Sequence, residues 1–169
     1  MLAPFIAGWS YNRRSDSFCH VNAMFRLLIS LVVLLNSSLL FAEDWTVRRQ
    51  VAGSFADVKE AVVMAIENRG LVINYTSHIA DMLARTGADI GASRRIYEQA
   101  EIIEFCSAGL SRKMMELDPH NIVFCPFALS VYTLPGETGQ VWLSYRRPQG
   151  GAAPLVEELL AGVVGEAAR

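Results

Sequence analysis

Two cysteines, Cys106 and Cys125, offer the most direct chemistry in this sequence, and both lie in residues 101–126, EIIEFCSAGLSRKMMELDPHNIVFCP. Such a pair can form a structural disulfide, a reversible redox couple or a thiolate site for a metal ion or haem, or it can remain as two unpaired buried thiols. The C-x-x-C spacing of many oxidoreductases is missing, which weakens the redox interpretation. Whether the two cysteines form a disulfide depends on whether the protein is in an oxidising compartment.

An apolar segment indicates export. From Met24 the chain has a cationic start at Arg26, an apolar run over residues 27–35, polar residues 36–38, and a second short apolar run that ends at Ala42. This is the layout of a secretory signal peptide with cleavage after Ala42. We therefore assign residues 1–42 to an N-terminal extension and signal peptide, and expect translation to begin at Met24.

Two alternatives to cleavage are weaker. A retained membrane anchor needs about 20 continuous apolar residues, and the run is interrupted before that length. A twin-arginine signal at Arg13 and Arg14 would stand too far from the apolar run. We expect a periplasmic or secreted protein that touches the membrane only through an uncleaved signal segment. In such an oxidising space a disulfide between Cys106 and Cys125 is the default.

The position of the two cysteines makes this disulfide plausible. Each ends a predicted strand, and the connection between them is long enough for a parallel crossover that contains a helix. If the strands are neighbours, a disulfide would close a loop of about 20 residues and contribute on the order of 3 kcal/mol. If another strand lies between them, the Cα atoms would be about 10 Å apart, too far for a bond.

A second candidate is a soft-metal site at His78 and Met82. The two residues are four positions apart in a predicted helix and so share a face. Imidazole and thioether ligands suit copper, and haem is a further cofactor to consider. The competing interpretation is ordinary packing, because methionine at helical spacing usually fills a core.

A third candidate is the loop that carries Arg94 and Arg95. Gly87 and Gly91 precede this pair, and glycine-rich loops often present ligand-binding residues. The alternative is a plain connecting loop in which glycine supplies positive φ angles.

Other functions are disfavoured by composition. The net charge of −2 and the isolated arginine pairs do not form the clustered basic surface that nucleic-acid binding needs. Hydrolase motifs such as G-x-S-x-G and H-E-x-x-H do not occur. Scattered acids, among them Asp81 and Glu98, could supply an acid–base pair only if folding brought them together.

Periodicity predicts alternating helices and strands. Ser54 is a predicted helix cap, Gly70 a helix stop, and Ser77 the cap of a short helix. Strands are predicted at residues 45–51, 71–76, 101–106, 122–125, 127–134 and 140–145, and helices from 54, at 78–86, at 107–117 and from 154. This order indicates an α+β fold, a two-layer mixed sheet with helices packed on one face.

The cysteine stretch and its surroundings also resemble a known family. The distinctive pieces are the helix with Met82-Leu83, EFCSA around Cys106, Asp118-Pro119, Cys125-Pro126 and VWLSYRRP ending at Pro148. Over residues 45–148 the chain resembles the exported bacterial branch of the domain of unknown function 302 family. The resemblance implies a small α+β domain, with a homodimer as one arrangement, and it implies no activity, catalytic residue or cofactor.

These observations define our expectations. Residues 43–148 form a single α+β domain, and residues 149–169 form a linker and an amphipathic helix that docks on the sheet. The predicted function is non-catalytic binding of a small ligand or a periplasmic protein without a cofactor, with Cys106–Cys125 as a disulfide staple. The alternative is a periplasmic redox or soft-metal protein that binds copper or haem through the same cysteines.

Overall fold

The computed structural model describes residues 45–92 and 94–169. The predicted N-terminal extension, signal peptide and cleavage point all lie outside these residues. Within the described part of the chain, no helix is both long and apolar enough to span a membrane.

In residues 45–92 and 94–169, five strands and four α-helices follow the order expected of an α+β domain. The elements are β1 (Thr46–Ala52), α1 (Phe55–Glu67), β2 (Val72–His78), α2 (Ile79–Asp89), β3 (Gln99–Cys106), α3 (Ala108–Leu117), a 3-10 helix (Pro119–Phe124), β4 (Phe127–Thr133), β5 (Gln140–Arg146) and α4 (Ala153–Ala167).

The strands form one sheet in the order β1-β5-β4-β3-β2. Every neighbouring pair is antiparallel, so the α+β class is confirmed while the expected mixed sheet is an antiparallel one. The difference arises between β3 and β4, where we predicted a parallel crossover. There the connection through α3 returns to the end of the sheet that it left, and β4 therefore runs opposite to β3.

Of the predicted strand at residues 122–125, residues 122–124 belong instead to the 3-10 helix and Cys125 is its C-cap. The Asp118 side chain accepts a hydrogen bond from the His120 backbone N–H at 2.9 Å, and the Asn121 amide donates to the Met114 carbonyl at 2.8 Å. These side chains satisfy backbone groups locally, which favours a tight turn over an extended strand. A short β-branched sequence, Ile122-Val123, was a misleading strand signal.

One face of the sheet carries the hydrophobic core. Alternate residues of the central strands point to this face, and α1, α3 and α4 cover it. The largest fully buried side chains include Ile66, Ile103, Phe105, Met114, Leu129 and Leu143. Helix α2 contributes no buried residue, so three helices rather than four form the layer on this face.

Helix α4 is an integral part of this core. Val156, Leu160 and Val163 are buried against the other elements. Two polar contacts fix the helix in place: the Tyr145 hydroxyl donates to Glu157 at 2.7 Å, and Arg69 forms an ion pair with Glu166. We predicted that this helix docks on the sheet, and in the structure most of its contacts are with α1.

Two of the predicted helix ends are observed and one is different. The Ser54 hydroxyl accepts a hydrogen bond from the Asp57 N–H at 3.1 Å, and Gly70 has the left-handed φ of 68° that follows a helix end. Helix α2 begins one residue later than predicted. Its cap is His78, without a side-chain capping bond, because β2 continues through Ser77 to His78.

Candidate functional site

The face of the sheet opposite the core carries a second set of side chains, which we call the open face. In β4, Phe127, Leu129 and Val131 are buried in the core, whereas Ser130 and Tyr132 alternate with them. In β5, Trp142 and Ser144 occupy the corresponding positions. Successive strand residues point to opposite faces, so these polar and aromatic side chains share the open face.

Strand register aligns the open-face residues in rows. One row crosses the whole sheet through directly paired residues, in the order Arg48, Ser144, Ser130, Ile102 and Ser77. Its centre consists of two small hydroxyl side chains, with an arginine on the β1 side. Small side chains in the middle of a sheet leave room above them for a ligand.

The adjacent row is aromatic. It pairs Gln50, Trp142, Tyr132 and Ala100 across four strands. Tyr132 and Trp142 stack with an interplanar angle of 14° and a centroid distance of 6.5 Å, and Tyr97 meets Tyr132 edge-on at 5.5 Å. The Trp142 indole N–H donates to Glu137 at 2.7 Å, which fixes the ring.

A pocket of about 380 Å³ lies over these rows. Its volume falls in the range of roughly 300–1,000 Å³ that is typical of small-molecule sites. The lining residues come from four strands and from the segments that flank them: Trp45, Thr46, Arg48, Ile79, Tyr97, Ala100, Glu101, Ile102, Ser130, Tyr132 and Ser144. The pocket thus combines an aromatic wall with a hydroxyl-lined floor.

Arg48 and Tyr132 give the pocket its hydrogen-bond donors. Arg48 is exposed and makes no ion pair with any residue in the described ranges. Burial raises the pKa of Tyr132 above its ordinary value, and the neighbouring Tyr97 raises it further, while Arg48 acts in the opposite direction. The Tyr132 hydroxyl therefore stays protonated at neutral pH and can donate beside a guanidinium.

None of these pocket residues was among the candidate residues predicted from the sequence. The usable signal was the alternation in FALSVYT and QVWLSYR, where small hydroxyl and aromatic residues occupy every second position. Alternation predicts a face but not which strands are neighbours. The strand order of the sheet is needed to place Arg48 of β1 beside Ser144 of β5.

The two cysteines lie at one end of the sheet as free thiols, so the predicted disulfide is not formed. Cys106 follows buried Phe105 and therefore points to the open face, where its sulfur accepts a hydrogen bond from the Asn74 amide at 3.0 Å. Cys125 packs against the core, and its sulfur lies 2.9 Å from the Ser111 hydroxyl on α3. A disulfide requires Cβ atoms that point toward each other, and these thiols point to opposite faces.

His78 lies far from the cysteines. Its Nδ1 is 3.3 Å from a carboxylate oxygen of Glu101, whose other oxygen pairs with Lys59 at 2.6 Å. Glu101 is near the start of β3 and Cys106 is at its end, a separation of about 17 Å along the strand. His78 and Met82 therefore do not share a ligand set with either thiol. Among the described residues, no group of three or more His, Cys, Asp or Glu side chains could hold a metal ion.

Arg94 and Arg95 line a separate, smaller cavity of about 260 Å³ between α2 and the segment that leads to β3. Arg95 pairs with Glu98 at 2.5 Å, so its charge is already compensated. Tyr97 lines both this cavity and the open-face pocket. The arginine pair thus lies next to the open-face pocket but does not line it.

Comparison with known sequences identifies the family. The pattern described as "Domain of unknown function DUF302" matches residues 47–168. The chain belongs to the DUF302 family. The match extends through α4, beyond the end of the resemblance at Pro148. A search of curated proteins finds no match.

A solved structure supports the DUF302 fold. A crystal structure of an uncharacterised conserved DUF302 protein from Bacillus stearothermophilus is similar to this chain with a TM-score of 0.54. The sequences are 15% identical, and the similarity covers 74% of this chain and 94% of the other. At this identity the similarity establishes the fold alone. Because the family description assigns no activity, function must be inferred from the site itself.

Proposed function

We propose that this DUF302 protein is an exported, non-catalytic binding module whose open-face pocket holds a small organic anion with a planar aromatic part. The observation that carries the proposal is the position of Arg48, an arginine without an ion-pair partner in residues 45–92 and 94–169, at the rim of an aromatic pocket. Guanidinium groups recognise carboxylates and phosphates through paired donors.

The chemistry of the pocket favours an anion over a cation. The Arg48 guanidinium and the neutral Tyr132 hydroxyl are both donors, and the Ser130 and Ser144 hydroxyls can donate as well. Among the described residues, Glu101 is the one acidic residue in the pocket lining, and Lys59 pairs with its carboxylate at 2.6 Å. A carboxylate or phosphate on the ligand would therefore meet a net positive local field.

Tyr97 and Trp45 favour a planar ligand. Both line the pocket, and Tyr97 already contacts the Tyr132 ring edge-on. Aromatic rings prefer edge-to-face or offset-stacked neighbours, and each such contact contributes about 0.5–1.5 kcal/mol beyond area burial. A ligand ring would extend the existing aromatic cluster.

Binding without reaction is favoured by the surroundings of the two serines. A serine nucleophile needs an adjacent general base. In the described ranges, neither Ser130 nor Ser144 forms a side-chain hydrogen bond with a histidine or a carboxylate. The hydroxyls are therefore suited to hydrogen-bonding a ligand.

Export is proposed from the sequence alone. The segment from Met24 to Ala42 has the order of charge, apolar run and small residue of a signal peptide. The disulfide is not part of this proposal, because the thiols point to opposite faces of the sheet.

The proposal is tested by calorimetric titration with a small panel of charged and neutral pairs. Benzoate, indole-3-carboxylate and phenyl phosphate should bind, and the matched neutral amides of the two carboxylates should bind at least about tenfold more weakly, since a hydrogen bond to a charged group is worth about 1.5–3 kcal/mol. Equal affinity for acids and amides, or no binding of any aromatic anion, would contradict it.

A further inference from the structure

The end of the sheet at which the described chain begins carries exposed apolar side chains. We call it the proximal end. Thr46 pairs there with Arg146, Val72 with Cys106, and Phe105 with Phe127. Trp45, which precedes β1, accepts a backbone hydrogen bond from Arg147 at 2.8 Å. Trp45 is therefore held at this end of the sheet.

The 3-10 helix leads directly into β4 at the proximal end and exposes two consecutive aliphatic residues. Val123 is 79% exposed and Ile122 is 60% exposed. Soluble domains expose single apolar residues routinely, but an adjacent pair on a short turn is a compact apolar projection. In this turn the side chains of Asp118 and Asn121 bond to backbone groups, which holds the projection in one shape.

A groove of about 380 Å³ connects this projection to basic side chains. It is lined by Val123, Pro126, Ala128, Arg146, Arg147 and Val156, among others. Arg146 is exposed at the end of β5. In a phospholipid bilayer, headgroup phosphates lie above the acyl chains. Apolar side chains beside a guanidinium can therefore contact acyl chains and phosphates at the same time.

The sequence upstream supports the same orientation. The second apolar run of the predicted signal segment ends at Ala42, with only Glu43 and Asp44 between it and Trp45. Trp45 is itself 67% exposed, and its indole suits a position between apolar and wet surroundings.

From this juxtaposition we infer that the proximal end is a membrane-docking surface. Ile122 and Val123 insert into the upper part of a phospholipid bilayer, and Arg146 contacts headgroup phosphates. The partner is a lipid surface, and the attachment is peripheral and reversible. Docking remains after the signal peptide has been removed.

The experiment is co-sedimentation of residues 43–169 with mixed phosphatidylcholine–phosphatidylglycerol vesicles. This fragment is a fair test because Asp44–Arg169 form one compact unit and the solved relative consists almost entirely of this domain. Val123→Ser should lower vesicle affinity about tenfold, since it removes an inserted aliphatic side chain. Arg146→Gln should lower it about fivefold through the lost phosphate contact.

Ile90→Ser is the matched control. Ile90 is also 79% exposed, but it lies in the connection between β2 and β3, which leaves and re-enters the sheet at the opposite end. Its variant should bind vesicles as the wild type does. Failure of the wild-type fragment to sediment with vesicles would overturn the inference, as would equal losses for Val123→Ser and Ile90→Ser. Self-association that depends on Val123 in the absence of vesicle binding would overturn it in favour of a second copy of the chain.

Discussion

Cys106 ends β3 and Cys125 lies two residues before β4, so both are at the same end of the sheet, yet their thiols point to opposite faces of it. Cys106 accepts a hydrogen bond from Asn74 on the open face, whereas the Cys125 sulfur lies 2.9 Å from the Ser111 hydroxyl of α3 on the core side. Pairing of β3 with β4 places the two residues at one end of the sheet, but their side chains lie on opposite sides of it.

We therefore expect two free thiols in the folded protein, even after recovery from an oxidising compartment. Alkylation after unfolding without reductant should add two labels to residues 43–169. Reductant should leave the melting temperature unchanged, because no cross-link restricts the unfolded chain. A fragment that takes up no label until it is reduced would show that the pair forms a disulfide after all.

The hydroxyl of Tyr145 should stabilise the fold through Glu157. Tyr145 is buried, and its hydroxyl donates to the Glu157 carboxylate at 2.7 Å; burial, followed by this hydrogen bond, raises its pKa above the ordinary value. Tyr145→Phe leaves a partly buried carboxylate without this donor, so it should lower the free energy of unfolding by about 1–3 kcal/mol in urea titration. Tyr75→Phe, at an exposed position, is the control and should change stability little.

Glu166 should make the fold sensitive to acid. The Arg69 guanidinium, and secondly the Asn68 amide, donate to its carboxylate and hold its pKa below the ordinary value of about 4.5. Because the folded-state pKa is the lower one, this stabilisation is fully present above the unfolded-state pKa and is lost as the pH falls through the folded-state pKa. Glu166→Gln should flatten the acid limb of the stability curve.

The matched control for this effect is Glu158→Gln, an exposed carboxylate on the same helix. Stability of the wild type and both variants is compared by urea unfolding from neutral pH down to the acid transition. A Glu158→Gln curve as flat as that of Glu166→Gln would mean that general surface charge, rather than the Arg69 pair, causes the pH dependence.

Helix α4 should be required for folding, although it lies beyond the stretch on which the family resemblance was based. Leu160 is buried in the shared core, whereas Leu155 on the same helix is only partly buried. Leu160→Ala should destabilise the protein by about 2–5 kcal/mol. Leu155→Ala should lower the free energy of unfolding clearly less. Equal losses for the two variants would contradict the observed orientation of the helix.

Much of the fold could be predicted because local signals agreed with the tertiary outcome. Ser54 as a cap, Gly70 as a stop and the β4–β5 hairpin all follow from short-range rules. The antiparallel return from β3 to β4 could not be predicted, because it depends on residues 119–124 forming a 3-10 helix. There the hydrogen bonds of Asp118 and Asn121 outweigh the β propensity of Ile122 and Val123.

The candidate site was harder to predict than the fold. The candidates predicted from the sequence were pairs of nearby residues, such as the two cysteines and the Arg94-Arg95 pair. The pocket is instead lined by single residues of separate strands. Arg48 and Tyr132 are distant in sequence. They line the same pocket because β5 pairs with β1 on one side and with β4 on the other. Strand order is set by the packing of the whole core, and short motifs do not encode it.

The central claim is that the open-face pocket binds an organic anion through Arg48, and two neighbouring substitutions test it most directly. Arg48 and Arg49 are both exposed and adjacent in β1, but Arg49 pairs with buried Leu143 and so belongs to the core side of the sheet. In calorimetric titration with indole-3-carboxylate, Arg48→Gln should weaken the Kd at least about tenfold while Arg49→Gln leaves it unchanged. Equal effects of the two substitutions, or an unchanged Kd for Arg48→Gln, would contradict the account.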